Sequence, residues 1–263
     1  MKRSFTIILI LLAISGCSSV KTVIAMMQTT DNFTPYGDGN SLIFQEIEPS
    51  PLAKETEKYL AEAIDTVEGQ QNRKFGKPVK VYIVSTVANM KSYCGYRLVL
   101  GCVINEKVFL SPRVLTQPKG TLPRILTHEL SHLHIDQQLG LIEWANVPTW
   151  FREGLAVYVS TMNASSAELD FKEAATEMID GKSFYPNEYG SIVFPKSHVS
   201  FGLSRSIFYR QAGSFVRFLH ISDEIAFKNL LLSVQDKEDF SSSFQKYYGV
   251  SMEFKWREFV EQI

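Results

Sequence analysis

The sequence has no run of like charge. Its 27 lysines and arginines nearly balance 28 aspartates and glutamates, for a formal charge of −1. A basic patch or stripe is the footprint of a nucleic-acid binder, so this balance gives no reason to expect nucleic acid as a partner. Internal repeats and low-complexity tracts are also missing. Cysteine is scarce, with three in 263 residues. What is present is ordinary for a globular protein with a real core: 45% apolar and 21% charged residues, in a length that suits one domain or a domain with a helical appendage.

The one long apolar stretch is at the start. Lys2 and Arg3 precede a dominantly apolar run from Phe5 to Ile14, and Ser15-Gly16 supplies small residues for cleavage. A membrane-spanning helix would need about 20 apolar residues, so residues 1–16 read as a secretory signal. The string Ile14-Ser15-Gly16-Cys17 resembles the lipobox of bacterial lipoproteins. That resemblance implies that Cys17 carries a diacylglyceryl group and becomes the mature N-terminus. The expected location is then the bacterial cell envelope, lipid-anchored to a membrane. With Ser18 and Ser19 following and no Asp after Cys17, the pattern implies the outer membrane, facing the periplasm, if the cell is Gram-negative.

Cys94 and Cys102 remain, eight residues apart. An exported chain meets an oxidising compartment, and a disulfide closing this short loop is expected. Two buried free thiols are the alternative. No His or further Cys lies nearby in sequence, so the pair is not read as a metal site.

Residues 17–50 hold Pro35, Gly37-Asp38-Gly39-Asn40 and Pro49-Ser50-Pro51 and show no period, which predicts a tether and an irregular leading segment. Leu52 to about Gln71 has helical spacing, Val79 to Ser85 alternates like a strand, and Val87 to Tyr93 suits a short helix. Val99–Ile104 and Lys107–Leu110 read as a strand pair turning at Asn105-Glu106. From Thr121 helices dominate: Leu122 to Leu139 ending at Gly140, one beginning near Thr149 with Thr149 as a plausible N-cap, then Ala164–Ile179, Ser206–His220, Glu224–Val234, Phe240–Tyr248 and a last one near the C-terminus. Strands first and helices after predict an α+β fold. The domain is expected over 51–263, strand-containing over about 51–140 and helical over about 141–263.

The informative string is His128-Glu129-Leu130-Ser131-His132. On a helix, residues i and i+4 lie about 40° apart and one turn along the axis, so two imidazoles reach one ion from the same side. Glu129, about 100° round from His128, would stand beside that ion, where a carboxylate can take a proton from the attacking water. Leu122, Leu126, Leu130 and Leu133 form a core stripe on another side. His134 lies about 200° from His132 and faces away, which predicts a packing or surface role. Asp136, one turn beyond His132, is a candidate acceptor behind the site. A catalytic zinc ion usually has three protein ligands and one open position, so a third must come from another element.

Downstream stands Trp150-Phe151-Arg152-Glu153-Gly154-Leu155-Ala156. Over residues 121–160 the sequence resembles the gluzincins, the thermolysin-like metallopeptidases in which HExxH is followed by a Glu on the next helix. It is most similar to the bacterial branch whose second motif reads Trp-apolar-x-Glu-Gly-x-Ala. The resemblance implies a zincin-like fold, with a small N-terminal mixed sheet, an active-site helix and a mainly helical C-terminal half. It also implies one Zn²⁺ held by His128, His132 and Glu153, with Glu129 as general base. Small Gly154 and Ala156 would let the two helices approach closely enough to share the ion. The structural alternative for Glu153 is a first-turn carboxylate favoured by the helix dipole. One departure matters: where thermolysin has an Asp four residues after the ligand Glu, this chain has Val157. Tyr209-Arg-Gln-Ala-Gly213-Ser-Phe-Val216 resembles the stretch where related enzymes place a Tyr that serves the oxyanion, making Tyr209 the candidate donor. Tyr185, Tyr189 and His198 are alternatives.

The expected activity is therefore zinc-dependent hydrolysis of peptide bonds in a peptide or protein substrate. A non-peptide amide is an alternative substrate. The alternative function is a catalytically inactive zincin-fold lipoprotein serving as a binding or assembly module.

Overall fold

The computed structural model describes residues 24–37, 42–161, 171–187 and 196–263. Strands come first: β1 (Thr34–Pro35), β2 (Ile43–Gln45), β3 (Val81–Ile83), β4 (Gly101–Ile104) and β5 (Lys107–Leu110), interleaved with α1 (Pro51–Gln70) and α2 (Val87–Cys94). The rest is helical: α3 (Thr121–Leu139), α4 (Leu141–Asn146), α5 (Thr149–Thr161), α6 (Phe171–Ile179), α7 (Arg205–Ser222), α8 (Glu224–Gln235), α9 (Phe240–Tyr248) and α10 (Met252–Val260). The class is α+β, as the order of patterns predicts. Among the described residues no helix is long and apolar enough to cross a membrane.

Two compact units divide the chain. One holds the described residues up to Ala61 with Pro78–Glu129, the other Glu62–Lys77 with Leu130–Ile263.

The first unit is built on a mixed sheet in the order β1-β2-β3-β5-β4. β2, β3 and β5 run parallel and the two edge strands antiparallel. Parallel strands must be buried on both faces, and β3 is: Val81, Tyr82 and Ile83 are all buried. Tyr82 pairs with Phe109, and with Phe33 and Tyr93 they form an aromatic cluster with ring centroids 5.0–5.3 Å apart along its close contacts. The β4–β5 turn places Asn105 and Glu106 at φ 49° and 58°, the paired positive angles of a two-residue hairpin. Cys94 at the end of α2 is disulfide-bonded to Cys102 in β4, Cα atoms 6.0 Å apart.

The leading segment departs from its expected irregularity. From Ile24 onward it is part of the unit: it supplies β1 and β2, and buries Ala25, Phe33 and Ile43. Strands of two and three residues are too short to leave a period. The Val79–Ser85 strand pattern likewise shortens to Val81–Ile83, and α4, six residues with no side-chain cap, leaves no pattern in the sequence. Thr149 is helical and not a cap.

The second unit has an aromatic core. Trp150 packs on Phe151, Phe184, Phe215 and Phe240, and its indole N–H donates to the Pro186 carbonyl at 3.0 Å.

A polar cluster fixes β2 in the first unit. The Glu46 carboxylate accepts from the Ser85 amide (2.7 Å), the Ser85 hydroxyl (2.6 Å), Asn89 (2.9 Å) and Asn32 (3.1 Å). Burial works to raise its pKa, but these bonds to the charged form leave it below the ordinary value. A carboxylate with a depressed folded pKa stabilises the fold above its unfolded value, and that stability is lost as pH falls through the folded one. Glu46→Gln is expected to cost about 1 kcal/mol at pH 7, with partial exposure limiting the figure. Urea unfolding should show the gap between parent and variant closing below the ordinary carboxylate range.

Candidate metal centre

α3 is held by its leucines. Leu126, Leu130 and Leu133 are fully buried, and the helix ends before Gly140, whose φ of 85° suits glycine. With that face committed to the core, His128 and His132 are left half-buried on another side, and Glu129 is buried at 8% exposure.

Glu153 is set by the way α5 is clamped. A Cβ on Gly154 would lie 2.5 Å from the Ala212 carbonyl oxygen and 2.8 Å from the Val216 side chain, and one on Gly213 would lie 2.5 Å from Val157 Cγ1. The two glycines thus let α5 and α7 cross at backbone distance. This corrects the expectation for Gly154: the helix it admits is α7, and not the HExxH helix. Val157, four residues after Glu153, fills the space above Gly213.

His128, His132 and Glu153 each offer a ligand atom, and these atoms all lie within 4.8 Å of one another. His132 Nε2 and Glu153 Oε2 are 3.4 Å apart. Ligands about 2.1 Å from a tetrahedral ion lie about 3.4 Å from each other, and that pair has this separation. Two imidazoles and one carboxylate are a donor set that can hold a metal ion.

Arg152, next to Glu153, was not picked out from sequence. It is buried, its guanidinium carbon lies 3.4 Å from the Trp144 ring centroid, and it donates to the Thr149 hydroxyl at 3.2 Å. Burial pushes it down to about 10, against the pull of Glu153, Asp136 and Tyr209, so it stays cationic at neutral pH. No local pattern marks a buried arginine; its signal lay only in its place inside the second motif. Those same charges put Asp136 and Tyr209 within electrostatic reach of Arg152. Tyr209 is half-buried in the first turns of α7, its ring 6.2 Å from that of Phe208. His198 is held below its usual range by partial burial and by Arg205, while Glu153 pulls the other way.

The remaining candidates fall as follows. His134 is fully buried, with Nε2 2.9 Å from the Arg73 carbonyl and its ring edge-on to Phe75, which is the packing role. Tyr185 is 48% exposed. Cys17 and Tyr189 lie outside the described residues.

Chelator-stripped protein titrated with Zn²⁺ is expected to take up one ion per chain. Glu153→Gln should weaken that binding by more than about 100-fold, the upper range for losing even a supporting partner of a ligand. Competition against a coloured chelator measures it, and unchanged affinity would remove Glu153 from the ligand set.

No protein-family model matches the chain, and a comparison with curated proteins also finds no match.

Proposed function

We propose that the chain is a zinc-dependent hydrolase of the gluzincin type, a metallopeptidase that is anchored to the bacterial cell envelope through lipid on Cys17. The observation that carries the catalytic part is the convergence of His128, His132 and Glu153, with Glu129 beside His128 on the same helix. The lipid anchor is carried by the Ile14–Cys17 string alone.

When bound, Zn²⁺ supplies Lewis-acid polarisation of a water and of the scissile carbonyl. Glu129 takes the proton of the attacking water and returns it to the leaving amine nitrogen. Its burial suits this task, because a carboxylate shielded from bulk water keeps its proton for the leaving group. Tyr209 donates its O–H to the carbonyl oxygen as negative charge develops there. Arg152, cationic at neutral pH, offsets the charge of Glu153 and Asp136 in a poorly hydrated region.

Glu129→Gln keeps the size of the side chain and removes the base. Zinc stoichiometry is expected to stay at one while hydrolysis of an unstructured protein such as casein falls by about 10²–10⁴-fold. Full activity in this variant would mean that the HExxH helix is not the catalytic centre. Parent protein that binds zinc but cleaves neither casein nor a peptide library would favour the binding-module alternative.

A further inference from the structure

β4 is an edge strand, paired with β5 on one side and led by Gly101 opposite Leu110. A Cβ built on Gly101 would lie 2.7 Å from Glu129 Cγ, 3.0 Å from Oε1 and 3.1 Å from Cδ. The Glu129 side chain therefore runs against the strand backbone over its whole outer half, at the one residue of β4 that has no side chain. Glu129 is buried, so it has little room to swing away from a methyl group placed there.

The position of that wall depends on what holds the start of β4. Three ties do so. The Ser111 amide donates to the Leu100 carbonyl at 2.9 Å, and Ser111 itself is fully buried. Arg113 donates to the Leu98 carbonyl. Cys102, the residue after Gly101, is covalently joined to buried Cys94, the last residue of α2. In the loop between the two cysteines Tyr96 and Leu98 are 42% and 73% exposed, while Val99 packs against the core cluster that contains Cys94. Of the three ties, the disulfide is the only covalent one, and it acts one residue from the contact with Glu129.

We infer that Gly101 is a positioning residue for the Glu129 carboxylate, and that the Cys94–Cys102 disulfide holds it in place. This rests on Glu129 being the base of the hydrolysis proposed above. A side chain at 101 meets Glu129 first and redirects its carboxylate. Misplacing a reacting group by about 1 Å can cost about 10²-fold in rate.

The test is a double-mutant cycle on the full chain with casein hydrolysis, Zn²⁺ affinity by chelator competition and thermal unfolding as readouts. Gly101→Ala is expected to lower kcat by about 10²-fold while Zn²⁺ affinity stays within about twofold of the parent. In a Glu129→Gln background the same change is expected to cost no further rate, because the group it displaces is already gone. A role confined to stability would lower the melting temperature and multiply the loss in both backgrounds. Parent-like kcat in Gly101→Ala, an equal loss in the Glu129→Gln background, or a parallel fall in Zn²⁺ affinity overturns the inference. If Glu129→Gln is itself fully active, the failure belongs to the proposed base and not to Gly101. Should Gly101→Ala not fold, Cys94→Ser/Cys102→Ser carries the test: about a tenfold loss of kcat with zinc retained supports it, and an unchanged kcat overturns it.

Discussion

A helix can present a carboxylate to two imidazoles on another helix only if it is itself held from behind, because the side chain inherits every tilt of its axis. In this protein the hold is the crossing of α5 and α7. Gly154 stands one residue after Glu153 and meets the backbone of Ala212, while Gly213 meets Val157. Methyl groups at either position would force the helices apart by an amount that packed cores resist, at a cost of about 1–3 kcal/mol. Trp150 adds a second restraint through its aromatic neighbours and its bond to Pro186. Glu153 thereby stands with its Oε2 3.4 Å from His132 Nε2.

Charge is arranged with the same economy. A buried arginine is costly unless something offsets it, and Arg152 has Glu153, Asp136 and Tyr209 in electrostatic reach and the Trp144 ring face against its guanidinium. Arg152, next to Glu153 on α5, therefore offsets the charge of the carboxylates around it. His134 shows the contrast: two residues from His132 on the same helix, it is turned into the core, held off its usual range by burial and tied to a backbone carbonyl.

Much of the site could be read from local patterns, and the reasons it could are physical. The i, i+4 spacing of His128 and His132 has meaning because the leucines of α3 fix which side of the helix is buried. Glu153 stood out because it opens a helix with small residues behind it, although the partner of Gly154 was misjudged: sequence shows that a close approach exists but not to what. Long-range contacts left no trace. Nothing near position 101 points to Glu129, and nothing near Arg152 announces its burial. The strands β1 and β2 were missed for a different reason, since two or three residues cannot display an alternation, and their pairing is decided by β3 and by the Glu46 cluster. The α+β order and the disulfide were open to a reader of the sequence alone.

In the proposed site two imidazoles and one carboxylate hold a single zinc ion, and zinc K-edge X-ray absorption on protein loaded with one equivalent reads that ligand set. The expected spectrum has a nitrogen/oxygen shell at about 2.0–2.2 Å with the outer-shell pattern of two imidazoles, reduced to one in His128→Ala. A sulfur shell near 2.3 Å, or an imidazole pattern unaltered by that substitution, would contradict it.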